Sequence, residues 1–369
     1  MSQRILELQM AKRIVVLGLG RIGGAIAQLL NADKRYCVVG ADINSQTLVQ
    51  YANQFKAVQI KDNNFESLLK GQDAVISALS FNENPQVAQT ALDQGCSYFD
   101  LTEDVQCTEQ IKTIAQKAAI GQVFMPQCGL APGFVGILAY SFRQYFDQMD
   151  SLKLRVGALP EYPSNRMMYN LTWSTEGLIN EYANPCEAIK NHKITSIEPL
   201  EGRELLSVSG VEYESFNTSG GLANLCHTLE GKVRELTYKT IRYPGHCDLM
   251  RFLFHDLRLG EVGERRSMLM DILESSVATT AQDLVLISVV ATGSVGCKLQ
   301  QRSRTFLLRH SKQQSAIQIS TSSAAVTTID LILHSLKKRQ GFVEQETLDI
   351  DSFLNNDFAK PYRDAELSI

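Results

Sequence analysis

The feature that most constrains this chain is Gly18-Leu-Gly20-Arg-Ile-Gly23, which directly follows the apolar run Arg13–Leu17 and opens a helical pattern over Ile22–Leu30. Glycines at this spacing have separate jobs. Gly18 permits a tight turn after a strand, Gly20 lets the backbone approach a pyrophosphate, and Gly23 lets the helix lie close to the strand. The start of that helix, at Arg21 and Ile22, then offers amide donors and a positive dipole end to phosphate oxygens. Asp42 ends a second apolar run nineteen residues beyond Gly23, placed to accept hydrogen bonds from ribose hydroxyls. Its charge repels a 2′-phosphate, and Ile43-Asn44 beside it supplies no arginine, so the expected cofactor is NAD. The competing reading of Asp42 is a plain turn carboxylate.

The same rhythm of short apolar runs and helical patterns continues for about 130 residues. Strands are expected at Arg13–Leu17, Cys37–Ala41, Ala57–Ile60, Ala74–Leu79, Ser97–Leu101 and Gln122–Pro126. Helices fall between them, at Ile22–Leu30, Ser45–Gln54, Phe65–Lys70, Pro85–Gln94 and Val105–Ala119. This is the pattern of a doubly wound parallel sheet, a Rossmann domain over residues 1–133. Ligands of such sheets lie beyond the carboxyl ends of the strands. That rule places Asp62, Ala78, Leu79, Ser80, Asp100 and Leu101, with Cys128-Gly129, along the cofactor.

From Phe134 the style changes to alternating strands separated by longer polar stretches. Strands are expected at Leu152–Ala158, Lys193–Ile197, Leu236–Thr240, Leu284–Thr292, Ser303–Arg309 and Ala316–Ser320, with helices at Phe134–Phe146, Gly177–Tyr182, Leu222–Leu229, Cys247–Leu257, Ser267–Glu274 and Ala324–Lys338. The expected fold is α/β overall: the Rossmann domain plus a C-terminal α+β domain with a mixed sheet over 134–340. Residues 341–369 are expected to pack back on the first domain.

Composition closes off other classes. Thirty-six Lys and Arg against 40 Asp and Glu give a net charge of −4, which lacks the footprint of a nucleic-acid or anionic-membrane binder. No apolar run reaches the roughly 20 residues of a membrane span, and Met1–Met10 carries no apolar run of the secretory kind. Eight scattered cysteines without a Cys-x-x-Cys pair read as reduced, mostly buried side chains, and six histidines show no i,i+4 pairing. A cytoplasmic protein without a metal site is the expectation.

Several strings then recur in order: Val16-Leu-Gly-Leu-Gly20, Tyr98-Phe-Asp-Leu101, Gly129-Leu-Ala-Pro-Gly133, Ser174-Thr-Glu-Gly-Leu178, Asn217-Thr-Ser-Gly-Gly221 and Tyr238-Lys-Thr-Ile-Arg-Tyr-Pro-Gly-His246. Together they resemble the saccharopine dehydrogenase family, and most closely its lysine 6-dehydrogenase branch. The resemblance implies oxidation of an amino-acid carbon–nitrogen bond. In the lysine branch this is loss of hydride from the ε-carbon of L-lysine to NAD, followed by hydrolysis to the semialdehyde and ammonia. It also implies a homodimer formed through the second sheet. Thr102-Glu103-Asp104 departs from the family pattern as two added carboxylates.

Hydride transfer needs positioning, a base that leaves the amine neutral, and donors that fix the substrate's ends. Arg242 is the candidate clamp for an α-carboxylate, with Tyr243 beside it, and His246 the candidate base. Lys239 shares a strand face with Tyr243, opposite Arg242. The hydroxyls of Thr218 and Ser219 precede a glycine pair that could present donors to the substrate, and Glu103, Asp104 or Glu176 could meet the distal ammonium. Each has a plainer reading: solvated charges on an edge strand, turn chemistry, or a helix-dipole partner. Cys128 has no cation near it in sequence and reads as structural. Two alternatives stay open. One is oxidation of saccharopine, a secondary amine with three carboxylates that Arg155, Arg166, Arg234 and Arg242 could meet. The other is NAD binding without catalysis.

Overall fold

The computed structural model describes residues 11–61 and 64–367, so Asp62 lies outside the described residues. The continuous apolar run Ile14–Leu17 makes β1 (Lys12–Leu17), fully buried along that stretch. It is followed by α1 (Arg21–Asn31), β2 (Tyr36–Asp42), α2 (Ser45–Tyr51), β3 (Lys56–Gln59), α3 (Glu66–Leu69), β4 (Ala74–Ser77), α4 (Asn84–Gln94), β5 (Ser97–Asp100), α5 (Val105–Ala115) and β6 (Val123–Met125). All pair in parallel in the order β6-β5-β4-β1-β2-β3. The strand order reverses at β1, so the switch point of this sheet is the crevice between the ends of β1 and β4.

The second sheet is mixed. Helix α6 (Phe134–Ser141) leads to β7 (Gln148–Pro160), α7 (Thr175–Ala183), the hairpin β8–β9 (Cys186–Lys190, Lys193–Ile197), the hairpin β10–β11 (Glu204–Val208, Val211–Asn217), α8 (Leu225–Leu229) and β12 (Val233–Arg242). Then come α9 (His246–Arg251), α10 (Glu264–Ser276), β13 (Asp283–Val295) and β14 (Lys298–Arg309). The sheet runs β10-β11-β12-β7-β13-β14, with β8 also on β12. Only β12 and β7 run parallel. One face of β12 meets a core that includes Tyr169, Tyr182, Phe216 and Phe254. On the other, Leu159, Tyr213, Ile241, Leu284 and Leu286 form a cluster drawn from strands alone.

Strands β8, β10 and β11 go beyond the expected set. Both hairpins close through two residues of positive φ, Asn191-His192 and Ser209-Gly210, a turn that matches the twist of paired strands. The expected strand Ala316–Ser320 is instead the start of α11 (Ala316–Leu333). Its cap comes from far away in sequence: the Asp283 carboxylate accepts from Ala316 N at 2.5 Å and Ile317 N at 3.1 Å. By length and composition α11 could cross a membrane, but 67% of it is buried inside the fold.

The described chain divides into two units, Met1–Phe134 with Thr321–Lys360 and Val135–Ser320 with Pro361–Ile369. The return to the first unit therefore begins at Thr321 rather than at 341, and residues from Pro361 belong to the second unit. Within the first unit, β15 (Gly341–Phe342) adds a parallel edge strand to β6. Asp330 holds α11 there, accepting from the Tyr36 hydroxyl, pairing with Arg35 at 2.8 Å and accepting from Asn356 Nδ2 at 2.6 Å.

Because Asp283 is fully buried and satisfies two orphan helix amides, Asp283→Ala should cost about 2 kcal/mol. Asp283→Asn, which keeps an acceptor oxygen, should recover more than half of that. Urea denaturation followed by circular dichroism measures both; equal losses would show that the cap contributes nothing.

Candidate functional site

In the first unit the glycine turn has the geometry its spacing implies. Gly18 sits at φ +83°, and a Cβ there would stand 2.7 Å from the Ala78 carbonyl oxygen. A Cβ on Gly23 would stand 1.9 Å from the Gly18 carbonyl oxygen and 2.9 Å from Ala78 Cβ. These two positions exclude any larger residue. Gly20 differs, since a Cβ there would meet nothing within 4 Å. It is the N-cap of α1, and no side chain caps the helix. Open space beside an uncapped helix start, at the switch point of a doubly wound sheet, fits a pyrophosphate.

Asp42 does two things at once. Its Oδ2 accepts from Leu19 N at 2.7 Å, which fixes the glycine turn, and its Oδ1 accepts from Asn44 N at 2.8 Å. A carboxylate oxygen has room for further donors, so ribose hydroxyls can still be received. Arg21, Ser80 and Ile43 are exposed, and Ile22, Ala78 and Leu79 are half-buried around the turn.

Asp100 turns out differently from expectation. It is fully buried. Its oxygens accept from the Tyr98 hydroxyl at 2.7 Å, Asn84 Nδ2 at 3.3 Å, Thr102 N at 3.0 Å and Gln127 N at 2.9 Å. Burial pushes its carboxyl up to about 6, and the bonds from Tyr98, Gln127 and Thr102 oppose that rise. It locks the ends of β5 and β6 and has no surface for a cofactor; Leu101 after it is half-buried. Asp104 is the N-cap of α5, accepting from Cys107 N at 2.7 Å, and Glu103 is half-buried. Cys128 is buried, its thiol pushed well up by burial, and donates to Met125 O at 3.0 Å. That is an inert cysteine.

In the second unit a buried chain of side chains links α7, the end of β12 and α9. Arg242 is 2% exposed. Its Nε donates to the Tyr182 hydroxyl at 2.9 Å, Nη1 donates to Ile241 O at 2.9 Å, and the guanidinium lies 5.0 Å from the Tyr169 ring centroid. The nearest carboxylate, Glu181, stands 3.8 Å away. His246 Nδ1 is 2.8 Å from Met167 O. A carbonyl only accepts, so Nδ1 carries the proton and Nε2 is bare. The Tyr182 hydroxyl, 3.1 Å from Nε2, therefore donates to His246 while accepting from Arg242. Burial, aided by the Arg242 charge, pushes His246 down to about 3. This corrects its expected role, because a ring that stays neutral and already accepts from a tyrosine is poorly placed as a general base.

Other expected site residues are tied elsewhere. Thr218 Oγ1 and Thr240 Oγ1 bond at 2.7 Å. Ser219 donates through Oγ to Asn180 O and through its amide to Glu181 O, both at 3.0 Å. This loop thus braces the end of α7 that carries Tyr182. Tyr243 donates to Pro160 O at 3.0 Å and stacks on Tyr213. Lys239 points to the opposite face of β12 from Arg242, donating to Gly202 O and pairing with Glu204 at 3.1 Å. Glu176 is exposed in the first turn of α7, a dipole partner rather than a member of the cluster. Trp173 packs where a Cβ on Gly177 would stand 2.3 Å from its ring. Tyr182 and Tyr169 escaped the sequence reading, since Tyr182 among apolar helix residues looks like core and Tyr169 lies in the loop before α7. Among the described residues, no group of three His, Cys, Asp or Glu side chains could hold a metal ion.

Comparison with known proteins covers both units. Residues 14–125 match the saccharopine dehydrogenase NADP binding domain and residues 129–365 the saccharopine dehydrogenase C-terminal domain. The chain is 22% identical over 207 residues to the mouse mitochondrial alpha-aminoadipic semialdehyde synthase, covering 53% of this chain and 22% of that protein. The bovine protein of the same name is 23% identical over 256 residues, 64% of this chain and 27% of that protein. The chain thus spans about a quarter of the length of the curated relatives it matches. Among solved structures, apo saccharopine dehydrogenase (L-Glu forming) from Saccharomyces cerevisiae superposes with a TM-score of 0.77 at 14% identity, over 93% of this chain and 96% of that one. The C. glutamicum DAP dehydrogenase in complex with DAP reaches 0.50 at 9% identity, over 94% and 96%. These likenesses show the fold. With two family domains matched in order along nearly its whole length, the chain belongs to the saccharopine dehydrogenase family of oxidoreductases and carries that family's nicotinamide-dinucleotide domain.

Proposed function

We propose that this chain oxidises a carbon–nitrogen bond of an amino acid with NAD as acceptor, and that its substrate is L-lysine, oxidised at the ε-carbon. The observation that carries the NAD preference is Asp42, a carboxylate at the end of β2 followed by the exposed Ile43 and the helix cap Asn44. A 2′-phosphate would be repelled there and would find no arginine beside it.

The support for lysine is an arginine count. Saccharopine has three carboxylates, yet Arg155 is engaged by Glu204 at 2.6 Å and Arg234 by Asp150 and Glu235. That leaves the exposed Arg166 and the buried Arg242, a number suited to one α-carboxylate. A buried guanidinium whose only carboxylate neighbour among the described residues is 3.8 Å away is short of counter-charge and welcomes an anion.

When bound, the dinucleotide supplies the hydride acceptor. The chain's own residues then have defined work. Gly18 and Gly23 set the tight turn that would leave the open helix start at Gly20 for the phosphates, and Asp42 would receive the ribose hydroxyls. Arg242 clamps the substrate carboxylate. Tyr182 and His246 are positioning residues: His246 fixes the Tyr182 proton, and Tyr182 fixes the Arg242 Nε. Loss of hydride from the ε-carbon of the neutral amine gives a protonated imine, which water converts to the semialdehyde and ammonium. The reading includes a homodimer through the second sheet, supported by its strand-only apolar cluster with Leu206, Val208 and Leu307 at the margin.

A second reading, oxidation of saccharopine itself, is favoured by the names of the relatives. Reduced dinucleotide formation with ammonia assayed in parallel separates them. L-Lysine with NAD should give equimolar ammonia. Reduction seen only with saccharopine, without ammonia, would overturn the lysine reading.

Asp42→Ser should raise the NADP-to-NAD ratio of kcat/KM by at least about tenfold, worth one removed charge contact; an unchanged ratio would remove Asp42 from cofactor choice. Tyr182→Phe should lower kcat/KM by about ten- to a hundredfold while leaving NAD affinity unchanged. Equal loss of both would mark a folding defect.

The His246 position also predicts a pH effect. Its folded pKa, about 3, lies below the ordinary 6.5, so the unfolded chain takes up the proton first as pH falls. Stability associated with the neutral ring is present above pH 6.5 and lost progressively between 6.5 and 3, on the order of 5 kcal/mol in total. His246→Gln should flatten that part of the melting-temperature profile. An identical slope in both proteins would contradict the assignment.

A further inference from the structure

The face of β12 turned away from Arg242 carries a second polar cluster, which the reaction does not use. The register of the second sheet leaves a gap there. Leu236 is the last β12 residue paired with β8, and Lys239 is the first paired with β11. Over this gap lies a cavity of about 220 Å³ whose lining includes Lys153, Lys190, Gly202, Glu204, Thr237 and Lys239.

Its charges do not balance. Glu204 alone receives Arg155 at 2.6 Å, Lys239 at 3.1 Å and Lys153 at 3.5 Å. Burial by itself would raise the Glu204 carboxyl, but Arg155 and Lys239 outweigh it and hold it at about 2. The other acidic side chain of the lining, Glu235, is spent on Arg234 at 2.5 Å. Lys190 is exposed and in no ion pair among the described residues. Three cations therefore converge on one carboxylate, with a fourth at the rim.

Donors are left over as well. The Lys239 ammonium has three N–H groups and is 6% exposed. Two are accounted for by Gly202 O and Glu204, and the third meets no acceptor among the described residues. Behind the lining, Arg155 Nε is buried without a hydrogen-bond partner while its Nη2 meets Glu204. Burial lowers the Lys239 pKa, Glu204 opposes that, and the charges of Arg155 and Lys153 add to the lowering. Buried donors and unbalanced cations around a space with room for several water molecules are costly unless an anion enters.

We propose that this cavity binds a compact oxyanion, a small dicarboxylate or a phosphate, at a site separate from the Arg242 cluster. Lys153 and Lys190 meet the anion from the open side, and the third Lys239 proton meets it from below. The anion supplies the charge that Glu204 alone does not.

The test is calorimetric titration of the full chain, in saturating NAD, with malonate and separately with inorganic phosphate, at ionic strength held constant with sodium chloride. One saturable site per chain is expected, and the tighter of the two probes tells which anion the site is built for. In the double variant Lys153→Gln/Lys190→Gln the affinity should fall by at least about tenfold, and in Arg242→Lys it should stay within about twofold. An unchanged melting temperature of the anion-free double variant confirms that it folds. Absence of saturation with both probes, equal affinity in the double variant, or loss in Arg242→Lys instead would each overturn the proposal.

Discussion

The architecture of the first unit hangs on one close approach. Backbone of β1 and α1 pass so near each other that a Cβ on Gly23 would overlap the Gly18 carbonyl oxygen at 1.9 Å. Ala78 at the end of β4 closes the same space from the other side, 2.7 Å by its oxygen from where a Gly18 Cβ would stand. This packing brings the helix start to the switch point of the sheet, where no side chain caps it and the space beside Gly20 is open. Asp42 then ties the turn to β2 through Leu19 N. The same carboxylate fixes the glycine turn and, on the proposed function, the choice of dinucleotide.

The second unit is organised by the two faces of β12. Successive side chains of a strand point to opposite sides, and β12 uses that alternation to keep two polar groups apart. Arg242 enters the aromatic core with Tyr182, Tyr169 and His246. Lys239 leaves on the other face, toward Glu204. In each group a buried cation is held by neutral oxygens and a shared or distant carboxylate. Such an arrangement costs stability by itself and has a use where an anion completes it.

Legibility in the sequence followed the range of the interactions. The parallel sheet was readable because its signals are local: apolar runs, the glycine spacing, and Asp42 at a strand end. The start of α11 was misread as a strand because its cap, Asp283, lies 33 residues upstream. Hairpin β10–β11 was missed although Ser209-Gly210 between alternating runs marks its turn; its second run also carries Glu212 and Glu214. Glu214 in fact is buried and accepts from Cys247 N at 2.7 Å. Arg242 and His246 lie in one buried cluster, but no local pattern disclosed that Tyr182, 60 and 64 residues away, stands between them. The same burial that assembles this chain removes His246 from the titration range that suggested it as a base. Asp100 was placed on the cofactor by topology alone, and its four hydrogen bonds claim it for the sheet.

The central claim is that hydride leaves the ε-carbon of an amino acid bound by this chain. Incubation with NAD and L-lysine deuterated at both ε-hydrogens, followed by mass spectrometry of the dinucleotide, tests it directly. The account predicts reduced dinucleotide heavier by one deuterium. Reduced dinucleotide without the label, or no reduction while NAD is bound, would contradict it.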